Sequence, residues 1–265
     1  MLNFTLFRRE MKGSLKILAI FAAIMTLYVS VIISMYDPDK MALLDGYTEI
    51  MPGIMAAVGM KAGNNTLLGF MSSYLYGFIL VVFPMLFSIL RANGLVARYA
   101  DKGALVTLLA APVKRRTVAR TQLAVLGTGV FLLLAYATMV ELVCARKFPG
   151  QLEVGKLLLL NTGVLCLEAC LAGICFLASC LFSDAKYSIG FGAGIPALMF
   201  LLQMLANAAE KAEKLKYASA FTLFNPDGLI GGEPSALVGV LALAIGAAAL
   251  CITAVEVFAR RDLHI

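Results

Sequence analysis

The sequence predicts an all-α, polytopic membrane protein with six transmembrane helices, and three observations carry that expectation. The chain is 61% hydrophobic and only 14% charged, with a mean hydropathy of +0.90, whereas about a quarter of an ordinary globular domain is charged. Six apolar runs reach the roughly 20 residues that a helix needs to cross the hydrocarbon layer, where no backbone group can be left unpaired. The Lys and Arg residues also fall unevenly on the two sides that six crossings define.

The elements follow in order. Arg8, Arg9, Lys12 and Lys16 precede an uncharged run from Ile17 to Met35, which is longer than the apolar region of a signal peptide and lacks a small-residue cleavage site, so it is expected to be a retained first span. A loop over 37–66 follows, in which Leu44, Tyr47, Met51, Ile54, Met55 and Val58 recur at helical spacing around Pro52 and Gly53. Short helices lying at the interface are expected there. The second and third spans run from Leu67 to Leu90 and from Val118 to Val140, separated by a polar loop over 94–117. The fourth, fifth and sixth run from Leu157 to Phe182, from Tyr187 to Ala209 and from Ser235 to Val257. Pro84 and Pro196 are expected to kink their helices. Between the last two spans, Phe221, Leu223, Phe224 and Leu229 surround Asn225, Pro226 and Gly228, the pattern of an interfacial or partly re-entrant turn. These segments leave no room for a soluble domain, so residues 1–265 form a single transmembrane unit.

An even number of crossings puts both termini on one side. That side, with the 91–120 and 183–188 loops, holds 14 Lys and Arg against 8 on the other, so both termini are expected in the cytoplasm of a cell, most simply behind a bacterial inner membrane. Topology thereby accounts for the net charge of +6, and no surplus calls for nucleic acid as a partner.

The sequence offers little catalytic chemistry. Gly150 to Leu157 reads GQLEVGKL, but Leu157 stands where a phosphate-binding loop requires a hydroxyl for magnesium, and the stretch enters a lipid-embedded helix. Nucleotide is therefore not expected to bind this chain. The one histidine, His264, is next to the C-terminus, which excludes histidine triads and helical zinc pairs. The six cysteines, at 144, 166, 170, 175, 180 and 251, lie almost wholly in apolar runs and form no C-x-x-C pair, as packing residues do. No metal set or catalytic group is expected, and the chain is not expected to be an enzyme.

Polar residues inside the spans stand out against this background. Glu168 lies deep in the fourth span, where insertion of a charge costs roughly 2.5 to 3.5 kcal/mol. It either lines a substrate or ion route with Asn161, at helical spacing on its own span, and Gln203, or it is a hydrogen-bonded packing residue between helices. Glu141 and Glu256 lie toward span ends. Gly190 and Gly194, four apart in the fifth span, form a small-residue face suited to close helix packing with an unspecified partner.

The loop over 94–117 is amphipathic. Leu105, Leu108 and Leu109 share a helical face, with Leu95 and Tyr99 on an earlier turn, while Arg98, Asp101 and Lys102 point elsewhere and Pro112 ends the helix. Lys114, Arg115, Arg116 and Arg120 then make a basic cluster at the third span, where they anchor topology and suit anionic headgroups of the bilayer.

Three stretches carry a resemblance. Asp101-Lys102-Gly103-Ala104-Leu105, then Leu108-Leu109-Ala110-Ala111-Pro112-Val113, then Arg115 or Arg116, are similar to the cytosolic loop of type-2 ABC exporter permeases. The ending Phe258-Ala259-Arg260-Arg261-Asp262-Leu263 and six spans with a long first outer loop resemble that family too. Departures are Ala104 in place of the usual Thr, no clearly placed Glu before Gly103, and Gln122 where a Lys is common. The resemblance implies that Leu95 to Pro112, with Arg115 beyond, form a coupling helix docking on a separate ABC ATPase subunit, which binds the ATP and magnesium. It implies a second permease, identical or homologous, and an N-terminal interfacial helix over Asn3 to Lys16. The substrate is left open. Alternatives are an ion-coupled transporter or channel using Glu168, an intramembrane enzyme, and a non-transporting immunity or scaffold protein.

Overall fold

Asn3 starts the first helix by accepting a hydrogen bond from the Leu6 N–H with its side chain, at 3.1 Å, which satisfies one of the donors a helix start leaves open. The computed structural model describes residues 2–37, 56, 66–101, 113–208 and 210–261, and the regular structure among them is all helical. The interfacial helices expected within 38–65, and the loop helix over 102–112, lie outside the described residues.

Helix α1 (Phe4–Met35) runs unbroken for 32 residues. At 1.5 Å per residue it is about 48 Å long, against roughly 30 Å of hydrocarbon. The separate interfacial helix expected over Asn3 to Lys16 is thus continuous with the first span. No proline interrupts this stretch, and Gly13 alone does not stop a helix whose other residues favour it.

The second crossing is composite. Thr66 caps α2 (Leu67–Met71) by accepting from the Gly69 N–H. The chain then widens into a π-helical stretch, Ser72–Ile79, before α3 (Leu80–Leu95) and the short α4 (Ala97–Asp101). Helix α5 (Arg115–Ala145) is the third crossing and α6 (Val154–Leu181) the fourth; α7 (Ala185–Ala208) is the fifth. Pro84 in α3 and Pro196 in α7 are both accommodated inside their helices. Two 3-10 segments, Glu210–Ala218 and Ala220–Leu223, lead to α8 (Pro226–Gly231) and to the last crossing, α9 (Pro234–Arg260). Six helices, in these positions, are long and apolar enough to cross a membrane, consistent with a polytopic membrane protein.

Helix α6 is the hub. It packs against α9 most extensively, and also against α7, α3, α5 and α8, so its buried residues occur all around its axis. Such a helix reads as hydrophobic on every face. Small residues set the approach distances: Gly173 lies against Leu250 and Ala247 of α9, and Gly192 of α7 against Ala178 and Cys175. A second bundle edge pairs α1 with α5 along their length, tied by Asn3 N–H to Thr121 Oγ1 at 3.0 Å and by Thr26 to Tyr136 at 2.8 Å.

The expected turn between the last two spans is a short capped helix. Asn225 caps α8 through Gly228, Pro226 occupies its first turn, and Gly232 ends it at φ 74°, where a side chain would be strained. Phe221, Phe224 and Leu229 are buried, and Phe224 and Leu229 close on Gly163 of α6. At Gly239 of α9 the backbone carbonyl of Leu223 occupies the place a Cβ would take, so the 3-10 segment seats directly on a side-chain-free position.

Candidate functional site

Two polar assemblies stand inside this apolar frame, one at each end of the bundle. The first lies at the end that carries both described termini. Glu10 of α1 is buried, and its Oε1 accepts a 2.6 Å hydrogen bond from the Tyr99 hydroxyl of α4. Arg91 of α3 approaches the other oxygen at 3.8 Å and donates to the Glu10 carbonyl at 3.4 Å. A buried charge requires such a partner, because desolvation without one costs several kcal/mol. One turn away, the Ser179 hydroxyl of α6 donates to the Ala92 carbonyl at 2.8 Å and accepts from the Ala97 N–H at 3.0 Å. The break between α3 and α4 is thereby stitched to α1 and to the hub helix.

The far side of the same loop is fixed as well. Arg115 donates to the Arg261 carbonyl at 2.9 Å, and Arg116 pairs with Glu256 of α9 at 2.7 Å. Arg261 in turn donates to the Cys180 carbonyl at 2.9 Å and to Ser183. Partial burial holds the Arg261 pKa below the ordinary arginine value. These contacts join the start of α5, the end of α6 and the end of α9.

Among the residues expected to couple, Leu95 is buried in the chain's own core and Tyr99 turns inward to Glu10, while Arg98 and Asp101 are exposed. Arg115 holds the C-terminal end. Lys102, Gly103, Leu105, Leu108, Leu109 and Pro112 lie outside the described residues.

The second assembly occupies the opposite end. Glu141, in the last turns of α5, has no solvent exposure; its Oε2 accepts from Tyr76 of the π stretch at 3.2 Å and from Asn161 Nδ2 of α6 at 2.9 Å. Tyr76 also lines a cavity of about 340 Å³ whose wall includes Ser72, Gln203, Asn207, Thr222 and Asp227, with Phe200, Phe221 and Phe224 as apolar panels. Ser72 donates to Asp227 at 3.3 Å. Gln203 donates to Asn207 at 3.0 Å and accepts from Thr222 at 2.7 Å. The cavity is partly open, and fixed polar groups alternate with aromatic panels along its wall.

Asn161 and Gln203 therefore both belong to this end of the bundle, one behind the cavity wall and one on it. Glu168 does not join them. It is fully buried in α6, seven residues beyond Asn161, and neither carboxyl oxygen has a hydrogen-bond partner among the described residues. Gly190 and Gly194 of α7 are exposed, and a Cβ at either would meet no other part of the described chain within 4 Å; within the chain the close approach on α7 is made by Gly192 instead. Glu141 was legible only as a carboxylate near a span end, and nothing in the sequence marked Tyr76, Glu10 or Arg91 as its equals. The pairings span 65 and 89 residues for Tyr76–Glu141 and Tyr99–Glu10, far beyond any local pattern. Among the described residues no group of three His, Cys, Asp or Glu is arranged to hold a metal ion. Compared with known protein families and with curated proteins, the chain matches none.

Proposed function

We propose that the chain is the permease subunit of an ATP-binding cassette exporter, moving its substrate with ATP hydrolysed on a separate subunit that docks on the loop over 94–117. In this reading two ATPase subunits and two permeases assemble, and both termini face the cytoplasm. The observation that supports it is the fixing of both ends of that loop: Tyr99 and Ala97 at its start, Arg115 and Arg116 at its end. A connector that served only to join two spans needs no such bracing, since loops are ordinarily the mobile part of a fold. Here a displacement of the loop is passed at once to α1, α3, α5, α6 and α9. Rigid elements moved against one another in this way are how closure at one site becomes opening at a distant one.

Copurification tests it. The chain, expressed with the ABC ATPase encoded nearest to it, is expected to form a complex that the paired substitution Leu105→Asp and Leu109→Asp disrupts. A wild-type chain that binds no ATPase would remove the proposal. The fully buried, unpartnered Glu168 favours a second reading, an ion-coupled carrier working without an ATPase. That reading requires uptake into liposomes containing this chain alone, abolished by Glu168→Gln.

A further inference from the structure

Glu141 and Asn161 meet through one hydrogen bond and leave two oxygens over. Asn161 Nδ2 donates to Glu141 Oε2 at 2.9 Å, while Glu141 Oε1 and Asn161 Oδ1, both buried, have no partner among the described residues. Two acceptors left bare in an apolar interior are costly, because each has lost its water without gaining a donor. A carboxylic acid and a primary amide have a well-defined way of avoiding this. In their planar pairing the amide N–H donates to one carboxyl oxygen, and the other carboxyl oxygen, carrying a proton, donates to the amide oxygen. In that pairing one added proton on Oε1 satisfies both oxygens that lack a partner.

The surroundings agree with a neutral carboxyl. Tyr76, from the π stretch, and Asn161, from α6, are the polar groups on Glu141, and both donate to Oε2. No Lys or Arg among the described residues pairs with it. The other ionisable groups around the cavity are Asp227 of α8, bonded to Ser72, and Lys216, whose carbonyl accepts from the lining residue Thr222; Glu168 lies two helical turns further along α6. At the end of α5, Lys147 is directed to Ser34 of α1 at 3.3 Å. Tyr76 both bonds the carboxyl and lines the 340 Å³ cavity, so a single side chain separates Glu141 from that space.

We propose that Glu141 is a proton-binding site that exchanges with water of this cavity past Tyr76, and that its proton latches the end of α5 to the start of α6 through Asn161. With the proton on Oε1 the acid and amide close a two-bond ring. When the proton leaves to cavity water, Oε1 and Oδ1 face each other as two acceptors, and the contact between the two helices weakens beside the cavity wall. Proton occupancy thereby controls the wall that Tyr76 and Ser72 form. This latch operates through the Glu141–Asn161 contact whether or not an ATPase subunit binds the chain.

Infrared difference spectroscopy on the full chain in lipid nanodiscs, acid against alkaline buffer, tests it with protons as the only ligand. The expected result is a protonated-carboxyl C=O band that titrates, disappears in Glu141→Gln and persists in Glu168→Gln. Glutamine retains an amide ring with Asn161, so that variant keeps the helix contact. In the chain with Glu141 intact, Tyr76→Phe is expected to shift the same band, because one of the two donors to Oε2 is lost. A titrating band removed by Glu168→Gln and kept in Glu141→Gln would overturn the proposal, as would the absence of any titrating carboxyl band. A band unmoved by Tyr76→Phe would overturn the link to the cavity.

Discussion

Glu10 and Glu168 are both carboxylates buried in helices, yet they are expected to answer mutation in opposite directions. Glu10 is held by Tyr99 and Arg91, and a hydrogen bond to a charged group is worth about 1.5 to 3 kcal/mol. Tyr99→Phe is therefore expected to lower the thermal midpoint of the detergent-solubilised chain, while Arg98→Ala, one residue away and exposed, leaves it unchanged. Equal midpoints for the two variants would show that the Glu10 contact contributes nothing. Glu168 has no partner among the described residues, so Glu168→Leu, of similar volume, is expected to raise the midpoint by removing two unsatisfied acceptors. A lowered midpoint would place Glu168 in a contact that the described residues do not supply. The sequence marked Glu168 because charge in an apolar run is visible locally. It could not rank Glu141 above Glu168, because Glu141's partners lie on other helices.

Each apolar run corresponds to one of the six described helices long and apolar enough to cross a membrane, and most of these helices extend a turn or more beyond the run into polar flanks: α1 begins at Phe4 rather than Ile17, and α5 at Arg115 rather than Val118. The reason is that a bilayer limits only the apolar part of a helix, while caps and propensity decide where it ends. The turn at Asn225-Pro226 was legible because turn chemistry is local, whereas the capped helix it opens and its stop at Gly232 were not. The π stretch that aims Tyr76 was not, since it depends on what the second crossing packs against. Gly239 offers a direct check of the packing. A methyl there would meet the Leu223 backbone, whereas one at Gly246 meets only Cys170 Sγ at 3.8 Å. Gly239→Ala is expected to reduce the yield of folded, monodisperse chain and lower its midpoint, and Gly246→Ala to do neither. Comparable behaviour of the two variants would contradict the close seating of the 3-10 segment on α9.

Over the whole molecule, the two polar assemblies sit at opposite ends of a bundle organised around α6, which carries Ser179 at one end and Asn161 at the other. A change in the braced loop and a change at the cavity wall therefore act on the same helix. The exposed apolar faces of α1, α7 and α9, among them Ile20, Leu27, Phe191, Leu198, Leu241 and Ile245, are the surfaces such a bundle turns to lipid. In the proposed assembly the loop over 94–117 is where an ATPase subunit docks. The most direct test of that docking is site-specific photo-crosslinking in cells expressing the chain with the ABC ATPase encoded nearest to it. A photoreactive residue at Leu105 or Leu109 is predicted to capture the ATPase, and one at Tyr217, which is 81% exposed at the opposite end, is predicted not to. Capture from Tyr217, or from neither end, would rule out docking on this loop.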